Sequence, residues 1–335
     1  MAQIGILEEA IKAIEGKNLT IVLPEGKDER VLAAAIRHQE EGLLKPIVLG
    51  DQGEIQKTAN KLGKSISEIK ILNPESYEGF EEMVDAFAEI RKGKIDREEA
   101  EFILRRDLNY FGVMLVKLGL ADGLVSGAIH TTADTIRPAL QIIRTKPGTK
   151  RVSGIMIMLG PDGEQFIFAD TAVNITLEAD ELAEVAVEAA ESAKSFGIDP
   201  YVGLLSFSTL GSAHHDLANK VARATSIAKD LDPDLRVVGE IQFDAAIDPE
   251  TAANKAPNSD VAGKCNVLIF PDLQAGNIGY KIAQRLGGYK ALGPILQGLN
   301  APVNDLSRGC SEQDVYEISI ITAMQAARRQ EELNK

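Results

Sequence analysis

Tryptophan is absent from this chain of 335 residues, aromatic residues make up 5%, and cysteine occurs only twice, at Cys265 and Cys310. Two distant thiols cannot build a disulfide framework, and their scarcity points to a reducing compartment. None of the 29 glycines forms Gly-x-Gly, so the dinucleotide fingerprint Gly-x-Gly-x-x-Gly is missing. The phosphate loop of nucleotide hydrolases is missing as well, because Gly63-Lys64-Ser65 has Thr58 where the first glycine would stand. Gly123-Leu-Val-Ser126-Gly127 has the wrong spacing for a nucleophile elbow. Neither Cys-x-x-Cys nor His-Glu-x-x-His occurs, and the four histidines, His38, His130, His214 and His215, suggest no zinc site. His214 and His215 read as helical neighbours, which point about 100° apart. No apolar run approaches the roughly 20 residues of a membrane span, and Met1–Leu7 lacks the charged leader and apolar core of a signal peptide. A cytoplasmic protein without a metal centre is the expectation.

Positive charge is also in short supply. The formal net charge of −14 makes nucleic acid a poor partner. An anionic ligand would meet a repulsive average field, so a few placed arginines would have to reverse it locally.

The length exceeds what one core usually supports, which suggests two α/β lobes. Leu19–Leu23 reads as a buried strand, Pro24-Glu25-Gly26 as a turn, and Asp28 as the cap of a helix running to about Glu41. Strand Pro46–Gly50, helix 53–62, strand Ile69–Leu72, two charged helices across 80–119 and strand Asp122–Ser126 follow, then a loop and a helix at Thr131. This alternation predicts a parallel sheet wrapped by helices. After Pro147-Gly148 come β-rich segments 152–159 and 166–169 and a helix from Glu178 to about Phe196. Strands 201–205, 236–240 and 266–270 and helices 214–230 and 277–286 continue the pattern. Ala301-Pro302 marks a second crossover, and an amphipathic helix over Val315–Arg329 should pack on the first lobe. The expected fold is therefore two parallel-sheet α/β lobes with a cleft between them. Residues 1–147 with 301–335 would form a discontinuous first domain, and residues 148–300 a second one inserted in it.

Two clusters carry candidate chemistry. Asn304–Asp314 places Ser307, Arg308, Gly309, Cys310 and Asp314 where a helix begins, and a helix start is an anion site by virtue of its unpaired N–H groups. Ser311-x-x-Asp314 is also a capping box. Cys310 fits either a low-pKa thiolate or a small residue in a tight turn. The second cluster is Ser126–Pro138, where Thr131-x-x-Asp134 forms another capping box. Ligands of open parallel sheets bind beyond the carboxyl ends of the strands, which makes Ser126, Thr131 and Arg137 candidate binding residues. Arg91 and Arg144 are further cationic candidates.

Read in order, Leu23-Pro-Glu-Gly-Lys-Asp-Glu-Arg-Val31, Ala121–Gly127, Thr135–Leu140, Phe168-Ala-Asp170, Ser206–Thr209, Lys255-Ala-Pro257, Phe270-Pro-Asp272, Gly276-Asn-Ile278 and Asp305–Cys310 form one series. The chain resembles the phosphate acetyl/butyryltransferase family, its phosphate acetyltransferases in particular, from about residue 4 to 330. The resemblance implies a fold akin to the isocitrate and isopropylmalate dehydrogenases, a homodimer, and reversible acetyl transfer between acetyl phosphate and coenzyme A. Coenzyme A is then a substrate, and no cofactor is implied. It assigns Asp314 as the base for the thiol, Ser307 as a hydrogen-bond partner of the sulfur, and Arg308 as the holder of the acyl phosphate. Arg137 and Arg91 match arginines associated with coenzyme A or phosphate. Thr171 departs from relatives that carry cysteine there. A butyryl-type specificity and a silent coenzyme A-binding module are the alternatives. An ordinary thiol and an ordinary aspartate differ by about 4.6 pKa units, roughly 6 kcal/mol against complete proton transfer, so transfer concerted with C–S bond formation is the favoured route.

Overall fold

The structure is a computed structural model that describes residues 5–333; the first four residues of the Met1–Leu7 stretch lie outside the described residues. Helix α1 (Ile6–Ile14) leads into strand β1 (Thr20–Leu23), helix α2 (Glu29–Glu41), strand β2 (Lys45–Leu49), helix α3 (Gln52–Leu62) and strand β3 (Lys70–Leu72). The helix boundaries have chemical causes. Asp28 accepts the N–H groups of Arg30 and Val31 at the start of α2, Asp51 accepts that of Glu54 at the start of α3, and Gly42 and Gly63 close the two helices in the left-handed region.

Three helices then appear where two were expected: α4 (Phe80–Ile90), α5 (Arg97–Arg106) and α6 (Leu108–Lys117). Asp107 causes the split. Its extended backbone ends α5, while its carboxylate caps α6 through Asn109 and Tyr110. Helix α6 is buried from Asn109 to Val116, so it belongs to the core rather than to a charged surface. Strand β4 (Gly123–Ser126) and helix α7 (Thr132–Pro138) follow.

The chain continues through β5 (Ser153–Leu159), β6 (Gln165–Ala169), α8 (Ala179–Ser195), β7 (Val202–Leu205), α9 (Asp216–Leu231) and β8 (Val237–Ile241). Next come α10 (Phe243–Ile247), α11 (Pro249–Lys255), β9 (Val267–Ile269), α12 (Leu273–Leu286) and β10 (Lys290–Gln297), and then β11 (Val303–Asp305) and α13 (Glu312–Leu333). Two compact units result, residues 1–147 with 299–335 and residues 148–298. Among the described residues no helix is long and apolar enough to cross a membrane.

In the second unit the strand order is β10-β5-β6-β9-β7-β8. Its sheet is mixed rather than wholly parallel, because β5 and β6 are joined by a tight turn in which the Gly160 N–H reaches the Glu164 carbonyl at 2.7 Å. That hairpin pairs antiparallel, and β10 adds antiparallel to β5. Helix α12 starts at Leu273, four residues before the expected position, because Asp272 caps it. His215 is the N-cap of α9 and His214 precedes it, so the two are not helical neighbours as expected.

In the first unit all five strands run parallel in the order β11-β4-β1-β2-β3. Helix α13 packs here as expected, yet it is buried on nearly every side from Val315 to Ala327 rather than amphipathic. Two of its polar residues bond its own backbone: Ser319 Oγ donates to Val315 O at 2.8 Å and Thr322 Oγ1 to Ile318 O at 2.7 Å. From β1 the chain winds to one side through β2 and β3, while β4 and β11 lie on the other. The carboxyl ends of β1 and β4 thus mark the switch point at which open α/β sheets bind ligands.

At that edge β11 and β4 approach closely. Asp305 lies opposite Ser126, and the Leu306 N–H reaches the Ser126 carbonyl at 2.7 Å. Gly127 makes the approach possible. Its φ is +117°, and a Cβ there would overlap Asp305 Oδ1 and lie 2.6 Å from both Leu306 N and Leu306 O. Gly127→Ala is therefore expected to cost at least about 2 kcal/mol, combining strain with overpacking. Gly119→Ala, also at positive φ but with open space around the new methyl, should cost only about 1 kcal/mol. Equal losses for the two in urea unfolding would show that close packing does not govern this edge.

Candidate active site

The site grows from three loops at the carboxyl edge of the first unit's sheet. The loop after β4 carries four successive N–H groups that converge on one point, the arrangement of an anion-binding nest. The protein fills this nest itself. Glu25, in the turn after β1, is buried, and its Oε2 accepts Gly127 N at 3.1 Å and Ala128 N at 2.8 Å. Its Oε1 accepts Ile129 N at 2.8 Å and His130 N at 3.0 Å, with His130 Nδ1 also at 2.8 Å. Burial alone would raise the Glu25 carboxyl, but the His130 ring and these N–H groups outweigh it and hold Glu25 below the ordinary value. The same carboxylate raises the His130 imidazole, against a smaller opposing effect of burial.

Ser126, the last residue of β4, is fully buried, and its Oγ has no hydrogen-bond partner among the described residues. Thr131 is exposed and forms the expected capping box, with its Oγ1 2.7 Å from Asp134 Oδ2. The neighbouring Thr132 Oγ1 donates to Asp305 Oδ2 at 2.7 Å. Burial pushes the Asp305 carboxyl up to about 6, despite the Thr132 hydroxyl that favours its ionised form.

After β11 the chain turns through Ser307, Arg308, Gly309 and Cys310 before α13 starts. Ser307 O accepts Cys310 N at 2.8 Å, and Ser307 Oγ accepts Gly309 N at 3.3 Å. The Arg308 side chain is exposed and makes no ion pair among the described residues. Asp314 completes the capping box: its Oδ2 accepts Ser311 N at 2.7 Å and Ser311 Oγ at 2.8 Å, while Ser311 Oγ accepts Asp314 N at 3.2 Å. Its Oδ1 takes no bond among the described residues. One carboxylate oxygen thus caps the helix and the other is open to chemistry. Cys310 does not fit the reactive-thiolate reading. It is buried, and burial pushes its thiol up to about 11 in spite of the nearby Arg30.

The two outlying arginines belong to helices of the same unit. Arg91 ends α4, and Arg137 lies exposed on the last turn of α7. Both favour the ionised form of Tyr110, whose pKa is raised by burial and Asp107. Arg91 Nε is buried without a partner, whereas Arg144 Nη2 is engaged with the Ile90 carbonyl at 2.9 Å. Thr171 lies buried in the second unit, where its Oγ1 donates to Gly154 O at 3.3 Å.

Ser126, Thr131, Ser307, Arg308 and Asp314 thus lie on adjoining segments at one sheet edge, from the end of β4 to the first turn of α13, with Arg137 and Arg91 on helices of the same unit. Sequence reasoning missed Glu25, Arg30 and Asp305 as site-forming groups. The signal for Glu25 was a glutamate between Pro24 and Gly26 directly after a buried strand, a place where an ordinary surface turn needs no acid. The pair it forms with His130 has a pH signature. The histidine contribution is complete below 6.5 and is lost as pH rises through the raised folded value; the Glu25 contribution is present above 4.5 and is lost as pH falls through the lowered one. His130→Asn keeps an uncharged donor near the Nδ1 position. The stability advantage of the unaltered protein over this variant is expected to be largest between 4.5 and 6.5 and to shrink in alkali. A pH-independent difference in chemical denaturation would remove the ion pair from the account.

Residues 5–323 match the family model described as phosphate acetyl/butaryl transferase. The chain is 56% identical over 313 residues to the phosphate acetyltransferase of Bacillus subtilis, covering 93% of this chain and 96% of that protein. A crystal structure of a phosphotransacetylase from Streptococcus pyogenes superposes with a TM-score of 0.92 at 58% identity, covering 96% of this chain and 98% of the other. A branched-chain phosphotransacylase from Enterococcus faecalis, 20% identical with a TM-score of 0.67, covers 92% of this chain and 99% of its own and shares the fold. Membership follows from a match that spans nearly the whole chain and includes every loop of the site: the protein belongs to the phosphate acetyl/butaryl transferase family.

Proposed function

We propose that the protein is a phosphate acetyltransferase that moves an acetyl group reversibly between acetyl phosphate and coenzyme A, by direct thiol attack in a ternary complex. The observation that carries this reading is the entrance to α13. There Ser307, Arg308 and Asp314 each keep a functional group free for a ligand, while the only nearby thiol is buried with its pKa pushed up to about 11. A buried Cys310 favours direct transfer over an acetyl-enzyme.

In the proposed step the sulfur attacks the acetyl carbon, the thiol proton passes to Asp314, and the C–O bond to phosphate breaks. Ser307 hydrogen-bonds the sulfur as its charge develops. The Arg308 guanidinium holds the acyl phosphate, a task for which its fork suits three phosphate oxygens better than a lysine. Backbone N–H groups around Gly309 are donors for the acyl oxygen. Arg91 and Arg137 supply positive charge for coenzyme A in an acidic protein, and Ser126 and Thr131 line the neighbouring loop. Coenzyme A is a substrate here, and the mechanism calls on no cofactor or metal. Identity of 56% to a phosphate acetyltransferase, against 20% to a branched-chain phosphotransacylase, favours acetyl over longer acyl groups. Two buried free thiols accord with a reducing cytoplasm.

A homodimer is part of the same proposal. Phe207, Leu217, Phe243 and Ile282, all about half exposed, line an apolar pocket of about 650 Å³ in the second unit. Open apolar surface of this kind marks an association site, and a second copy of the chain is the proposed occupant.

Thioester formation from coenzyme A and a panel of acyl phosphates tests the activity; acetyl phosphate should be the best substrate, and no turnover with any of them would leave only a binding module. Asp314→Asn retains much of the helix cap, at a cost of about 1 kcal/mol, but loses general-base assistance worth typically ~10²–10⁴-fold. A folded variant with kcat lowered at least about 100-fold is expected, and an early-melting variant with normal turnover per folded molecule would reduce Asp314 to a cap. In light scattering the protein should have twice the mass of one chain, and Leu217→Asp combined with Ile282→Asp should be monomeric. A monomeric unaltered protein would exclude the dimer.

A further inference from the structure

The three peptide carbonyls and two carboxylate oxygens gathered by one guanidinium have no place in the chemistry above. Arg30, in the first turn of α2, is held by Asp28, with Nε 3.0 Å from Asp28 Oδ1 and Nη2 2.8 Å from Asp28 Oδ2. From that base Nη2 reaches the Ala128 carbonyl at 2.9 Å, in the loop after β4. Nη1 reaches the carbonyls of Arg308 and Cys310, each at 2.9 Å, in the turn after β11, and lies 3.6 Å from Cys310 Sγ. One planar side chain therefore joins the loops after β1, β4 and β11. Glu25 grips the N–H side of residues 127–130, and Arg30 grips the carbonyl side of Ala128.

We propose that Arg30 is a positioning residue: it fixes the Ser307–Cys310 turn against the Ser126–Thr131 loop so that Ser307 and Arg308 face their substrates together. This rests on the activity proposed above. Its five guanidinium N–H groups are matched by five protein acceptors, so its influence on the reaction passes through the two loops. A misplacement of about 1 Å can cost 10²-fold in rate. Lysine cannot replace it, because one ammonium cannot hold Asp28 and three carbonyls that lie around a planar fork.

Arg30→Lys keeps the positive charge beside Cys310, so the buried thiol reports on opening of the turn without a change of charge. Two readouts are taken on the full chain: steady-state kinetics with coenzyme A and acetyl phosphate, and the rate of Cys310 alkylation by iodoacetamide followed by peptide mass spectrometry. Buried Cys265 in the second unit serves as the internal reference. The expected result is kcat and kcat/KM lowered together by roughly 10–100-fold, with Cys310 alkylated about tenfold faster or more as charge-assisted bonds are lost. Cys265 reactivity and the melting temperature should stay close to their original values. Asp28→Asn retains the helix cap but weakens the hold on Arg30, and should give the same pattern more mildly. Unchanged kinetics, a raised KM with unchanged kcat, or lost turnover with unchanged Cys310 reactivity would each overturn the positioning role. If the unaltered protein makes no thioester, the proposed activity falls, while the alkylation comparison still decides whether Arg30 holds the turn.

Discussion

A buried carboxylate against four backbone N–H groups is the interaction on which the site depends. Parallel strands release their loops at one edge, and each loop brings peptide groups that no longer pair with a neighbouring strand. Leaving buried donors unpaired costs about 1–3 kcal/mol each. Glu25 satisfies four at once, and the His130 ring adds a fifth contact to the carboxylate. With this cradle occupied by the chain itself, its four N–H groups are not available to an external anion. Arg308, in the turn after β11, and Arg137, on α7, are exposed guanidinium groups of the same unit.

This division of labour fits the overall charge. A molecule with net charge −14 repels phosphates at a distance. Close to the sheet edge, the balance is set by a few guanidinium groups with distinct partners. Arg30 and Arg144 are committed to protein acceptors, while Arg308 and Arg137 are exposed. The sorting of arginines into internal and available ones is what the fold adds to the composition.

Much of the architecture was legible because caps and periodicity are local. Asp28, Asp51 and Thr131 announce the helices they start, and the buried strands of the first unit are short aliphatic runs. The second unit's antiparallel edge was not legible, since the sign of a strand pair depends on the turn at 160–164 rather than on the strands. Helix α6 was merged into a charged region because Asp107 serves two helices at once. Helix α13 looked amphipathic because serine and threonine read as solvent-facing, whereas Ser319 and Thr322 satisfy themselves on the preceding turn. The residues Ser307, Arg308 and Asp314 stood out by their crowding at a helix start. Arg30 did not, because its partners at residues 128, 308 and 310 come from distant sequence.

That distance has a consequence for biosynthesis. The groups of the sheet edge come from residues 25–30, 126–137 and 305–314, and the last of these rides on β11 and α13. While the ribosome is still translating the middle of the chain, the first unit lacks an outer strand and the helix that α1 and α2 pack around. The nascent polypeptide must keep an unfinished core waiting through the whole of residues 148–298. Closure of that core and completion of the sheet edge are then one event, so a prematurely released fragment has neither.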